Sequence, residues 1–168
     1  MERSFVMSLL DAVLIATFYL FGFVALVFEP IYYFGCNWQE SLCSVSSYRI
    51  VHIVGDIWSI YGQWDPLFRN VPLWLRVLCT IEVFIFGPLY VVCAFGLQTR
   101  RKWLPYIALP FCGALVYSTI VYFAMEVLDI MPGTNIALVF LVNVPWTIFP
   151  IILAFRVMQI SNTKQRIE

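Results

Sequence analysis

Three glutamates and one asparagine stand where such side chains are expensive. Glu29 closes a stretch, Ala12 to Phe28, that carries no charge at all. Glu82, Glu126 and Asn143 stand within or at the end of long apolar runs. A carboxyl group deep in such a run is costly unless it is protonated or paired. No Lys or Arg stands in these runs at matching depth. The expectation is carboxyl groups that hold a proton or share one. A protonated buried carboxyl is a general acid, and an ionised one pairs with a lipophilic amine. Tyr117 and Tyr122 precede Glu126 in the same run and are candidate hydrogen-bond donors. The plain structural alternatives are a bond from Glu82 to Asn143 or to a Tyr hydroxyl, and an interfacial place for Glu29.

The elements that must position these groups are set by composition. Of 168 residues, 62% are apolar and only 12% charged, with mean hydropathy +0.86. A soluble chain of this size could not hide so much apolar side chain. Disorder, a collagen-like fibre and a coiled coil are excluded on the same ground. Ten basic and ten acidic residues argue against a nucleic-acid partner. The runs at 6–34, 73–97, 103–127 and 135–158 each exceed the roughly 20 residues that cross a ~30 Å hydrocarbon layer. Strands so few could not close a barrel, so the runs are helices. The expected fold is an all-α membrane protein, a four-transmembrane-helix bundle forming one domain over 6–158. No cleaved leader is expected, since no basic segment precedes a small-residue cleavage site.

Residues 35–72 form the longest extramembrane segment. Within it, 50–61 reads as a short amphipathic helix at the interface rather than a span. Trp58, Tyr61, Trp64 and Trp74 suit a headgroup-level aromatic belt. Four spans place both termini and the 98–102 loop on one side. Seven basic residues lie there, against three on the other side. The positive-inside rule puts the termini and the 159–168 tail in the cytosol and 35–72 in a lumen. On that side a Cys36–Cys43 disulfide is allowed by compartment and spacing, and two free thiols are equally consistent. Cys79, Cys93 and Cys112 read as packing residues. One His, no CxxC and no Gly-rich phosphate loop leave no metal or cofactor to expect. Pro88, Pro110, Pro145 and Pro150 interrupt the spans and open concavities. Pro30 follows Glu29 and allows a kink there. A kinked, aromatic-lined bundle suits a flat apolar ligand better than a water pore.

Four stretches carry a resemblance. They are Ala25-Leu26-Val27-Phe28-Glu29; Trp64-Asp65-Pro66-Leu67 with Trp74 and Glu82 beyond it; Phe86-Gly87-Pro88-Leu89; and Asn143-Val144-Pro145-Trp146 with Pro150 beyond it. In this order, over about 10–158, the chain resembles the EXPERA family, which includes the sterol delta8-delta7 isomerase and the sigma-2 receptor. The 117–126 stretch, YSTIVYFAME, also looks like the isomerase's third span. The resemblance implies a four-helix bundle in the endoplasmic reticulum membrane, often a homodimer, with a pocket opening laterally to the bilayer. It implies Glu29 and Glu82 as the paired acids, with Asn143 and Trp146 at the pocket; Tyr117, Tyr122, Glu126 and Asp65 complete the expected surroundings of the pocket. The isomerase's histidine falls on Ala25, and its second-span glutamate on Cys79. Glu82, one turn later, matches the second acid of the sigma-2 receptor instead.

Two functions share such a pocket. One is binding of a sterol- or terpenoid-like ligand or a lipophilic amine without turnover. The other is an isomerase or cyclase in which the carboxyl groups protonate an alkene or epoxide and aromatic faces stabilise the cation. A third reading is a structural partner of another membrane protein, with Glu82 and Asn143 as interhelical glue.

Overall fold

Ser8 opens the first helix, its Oγ accepting the Asp11 N–H at 3.2 Å. Asn135 does the same for the fourth span, accepting the Leu138 N–H at 3.2 Å. The structure, a computed structural model, describes residues 8–35, 49–128 and 131–165. Among the described residues all regular structure is helical. Span α1 covers Leu9–Tyr32. The amphipathic α2 (Arg49–Trp64) and the short α3 (Pro66–Asn70) follow. Span α4 is Leu73–Gln98 and span α5 is Leu104–Leu128. The fourth span, Ile136–Ile160, is broken before Pro145 into α6 (Ile136–Asn143) and α7 (Pro145–Gln165). These four long apolar helices make the chain a multi-pass membrane protein. Cys36 and Cys43 lie outside the described residues.

The helices pack as two pairs, α1 with α4 and α5 with α7. Small residues bring the first pair close. A Cβ on Gly22 would meet Val91 Cγ2 at 2.8 Å, and one on Gly87 would meet Leu26 Cδ2 at 2.7 Å. Two cores result. One, nearer the Ser8 end, is built on Phe18, Phe21, Tyr90 and Phe111, whose rings meet mostly edge to face. The other gathers α2, α3 and the facing turns of α4, α5 and α6 around Val54, Leu67, Leu75 and Val139.

Both α1 and α4 contain one widened turn, with π-type hydrogen bonding over Val24–Phe28 and Glu82–Phe86. The cause is in the sequence. A proline clashes with the carbonyl four residues before it. For Pro30 that carbonyl belongs to Leu26, and for Pro88 to Phe84; each is the middle residue of its widened turn. A π bulge absorbs one extra residue and moves that carbonyl aside without ending the helix. Glu29 leaves the first widened turn and Glu82 enters the second.

An ion cluster ties the opposite end. Asp11 is fully buried and accepts from Arg156 Nε at 2.7 Å and from Arg100 Nη2 at 2.5 Å. Arg100 sits in the left-handed region, φ 54°, closing α4 while the Arg101 N–H bonds the Gly96 carbonyl. One carboxylate thus joins α1, the α4–α5 turn and α7. In sequence these arginines are only loop and flank charges.

Candidate functional site

A cavity of ≈ 420 Å³ lies between the two cores, lined by Leu115 and Trp146 of the first and by Leu75, Cys79 and Tyr122 of the second. That volume is in the range of small-molecule pockets. Its lining is predominantly apolar. Leu20, Phe23, Ile57 and Val142 belong to it and are themselves exposed.

One wall is acidic. Glu29, on α1, and Glu82, on α4, both line the cavity. Glu29 Oε2 is buried with no hydrogen-bond partner among the described residues. Glu82 Oε1 accepts the Tyr90 hydroxyl at 2.6 Å. Tyr90 is fully buried among Phe18, Phe21 and Phe111, so its ring cannot swing away. In a plain α-helix, residues eight apart differ by about 80° in direction. The widened turn at Glu82–Phe86 takes up one residue and returns Tyr90 to the face of Glu82. A Tyr hydroxyl is among the partners expected for Glu82, and Tyr90 supplies it; neither the bulge nor that particular tyrosine is legible in the sequence. The proline two residues beyond the bulge was the available signal.

The facing wall comes from α2, α5 and α6. Asn143 Nδ2 donates to the Tyr61 hydroxyl and to the Val139 carbonyl, both at 2.8 Å. The Tyr61 and Tyr122 hydroxyls lie 3.3 Å apart, and Tyr122 donates to Asp65 Oδ2. Asp65 Oδ1 caps α3, accepting the N–H groups of Leu67 at 3.1 Å and Phe68 at 3.4 Å. Burial pushes the Tyr61 phenol above its ordinary value, and the charge of Asp65 adds to this. Trp58 stacks between Tyr32 and Phe68, with ring centroids at 5.0 and 5.2 Å. Trp146 stacks on Phe21 at 4.3 Å.

The predicted site residues therefore divide. Glu29, Glu82, Tyr122, Asn143 and Trp146 line one cavity. Asp65 and Glu126 do not; both are buried behind Tyr122, where Glu126 Oε1 has no partner among the described residues. Tyr117 is 70% exposed on the outer face of α5. The buried face of α5 runs through Leu115, Thr119, Tyr122 and Glu126, and a residue two after Leu115 points about 200° away. Glu82 is bonded to Tyr90 and not to Asn143. Trp58 and Tyr61, expected in a headgroup-level aromatic belt, line the cavity. They fall on the face of α2 that buries Val51 and Val54, while His52 and Asp56 are exposed.

The family model described as EXPERA (EXPanded EBP superfamily) matches residues 53–157, well over half of the chain. That range holds Tyr61, Asp65, Glu82, Tyr90, Tyr122, Asn143 and Trp146, but not Glu29. The chain is also similar to the fluoride-specific ion channel FluC of Pyrococcus abyssi. The two are 30% identical over 93 residues, which cover 54% of this chain and 74% of that protein. No solved structure matches.

Proposed function

We propose, from the premise that this chain belongs to the EXPERA family, that it binds a sterol- or terpenoid-like molecule or a lipophilic amine in the cavity between its two cores. The observation that carries this reading is the pairing of an apolar ≈ 420 Å³ cavity with Glu29, whose Oε2 is buried and unpartnered. A buried acceptor with no donor is stabilised by a ligand that brings one. An ammonium group would bond Glu29, and the rings attached to it would lie against Trp58, Phe68 and Trp146. Such a ligand, which partitions into lipid, would enter past Leu20, Phe23 and Val142 without crossing water.

The same two carboxyl groups support turnover as the alternative. One protonated glutamate would deliver its proton to an alkene or epoxide carbon or oxygen. The other, ionised, would then remove a proton from a neighbouring carbon, while the aromatic lining stabilises the intermediate cation. The likeness to a fluoride channel raises anion passage as a third reading. The lining speaks against it, since it offers two carboxyl groups and, among the described residues, no Lys, Arg or His.

Purification in mild detergent followed by mass spectrometry of the extracted lipid is expected to return a sterol or prenylated molecule at about one per chain. A preparation that carries only bulk phospholipid, and that binds no added sterol or amine, would overturn the reading. For placement, we propose the endoplasmic reticulum membrane, as the family resemblance implies, with both termini in the cytosol, on the seven-to-three distribution of basic residues. Tags on either terminus are then expected to be digested by protease added to sealed microsomes. A protected C-terminal tag reverses the orientation.

A further inference from the structure

Hydrogen-bond accounting fixes the polarity of the wall that faces the glutamates. Val139's backbone carbonyl can only accept, so the Asn143 group beside it is the amide NH2. That NH2 has two hydrogens, and both are used, one on Val139 O and one on the Tyr61 hydroxyl. Tyr122 has one proton and gives it to Asp65. In the Tyr61–Tyr122 contact the donor must then be Tyr61. Thr119 spends its proton on the Leu115 carbonyl at 2.9 Å. Four polar side chains of this wall thus have no hydrogen left to offer. What remains is acceptor capacity, foremost Asn143 Oδ1, which has no hydrogen-bond partner among the described residues.

The direction is enforced from outside the cavity. Asp65 accepts two backbone N–H groups and the Tyr122 proton, so it acts as the fixed sink at the end of the chain. Every donor upstream must point toward it. Besides Trp58, which also lines the cavity and carries an indole N–H, Ser118 is the exception on this wall. It lines the cavity one turn before Tyr122, and no described partner takes its proton. An alcohol can accept from Ser118 and donate to Asn143 Oδ1 at once. A ketone can only accept.

We infer that the Asn143–Tyr61 wall is a hydroxyl-recognising subsite, and that the cavity selects an apolar ligand bearing an alcohol over its carbonyl counterpart. This rests on the ligand-binding reading above and narrows its substrate class. In a dry site, pairing the amide oxygen with a ligand hydroxyl is worth a hydrogen bond, whereas a ketone oxygen set beside it leaves two acceptors facing each other.

The test uses the full-length chain in detergent with two probes that differ only at one oxygen, cholestanol and cholestanone, and a hydrophobic amine as a separate probe of the cavity. The alcohol is expected to bind at least fivefold more tightly than the ketone. Asn143→Leu should bring that ratio to near one. Should Asn143→Leu not fold, Tyr61→Phe decides. It frees one Asn143 N–H, turning the subsite into a donor, and should shift the ratio toward the ketone. A purely structural Tyr61 would weaken both probes alike and leave the ratio unchanged, which would overturn the inference. Equal binding of both probes to the unaltered chain overturns it while leaving the cavity reading in place. Binding of neither probe overturns it too, and amine binding then shows whether the cavity reading survives.

Discussion

Glu29→Gln is expected to weaken binding of a hydrophobic amine by tenfold or more, and Glu82→Gln to do the same. Tenfold corresponds to about 1.4 kcal/mol. The cause differs at the two positions. Glu29 is the carboxyl without a partner, so an ammonium group has most to gain by pairing with it. Glu82 is already bonded to Tyr90 and contributes charge near the bound cation. Gln at position 82 keeps an oxygen that can accept from Tyr90, so the fold is expected to survive that change. If the protein turns over a substrate, Glu82→Gln should also abolish proton transfer, because an amide is not an acid in this range. If the chain were only a structural partner, both variants would spare binding. Titration calorimetry on the three proteins reads the result. Unchanged affinity in both variants would reject the acidic wall as the binding determinant.

Membrane class and the four helices were legible because uninterrupted apolar runs of this length have few other uses. Glu29 and Glu82 were legible for a related reason, since an acid inside such a run must be explained. What was not legible was phase. These spans are apolar all round, so no periodic pattern tells the inward face from the lipid face. Tyr117 and Tyr122 look alike in sequence, yet only Tyr122 reaches the cavity. Tyr90 was hidden by the widened turn, which changes the register between it and Glu82. Asp11, Arg100 and Arg156 lie far apart in the chain, and their union depends on helix packing that local reading does not supply.

Asp65 is the residue whose role changes most between sequence and structure, and Asp65→Ala is expected to be strongly destabilising. Three donors lose their acceptor at once: the N–H groups of Leu67 and Phe68 and the hydroxyl of Tyr122. Losing an N-cap costs about 1 kcal/mol. Leaving a buried hydroxyl unpaired costs roughly 1–3 kcal/mol more. For a chain of this size, a loss on the order of 3 kcal/mol corresponds to a fall in melting midpoint of roughly 6–12 °C. Asp65→Asn should fall between the native chain and Ala. Its amide oxygen can still cap α3, but its NH2 would face Tyr122 and force that hydroxyl to accept. Tyr122 would then direct its proton back toward Tyr61, and the directed chain that ends at Asn143 would lose its sink. Thermal unfolding in detergent separates the three proteins. A midpoint for Asp65→Ala within 2 °C of the native value, roughly the shift of half a kcal/mol, would mean that Asp65 does not hold α3 and Tyr122 in place.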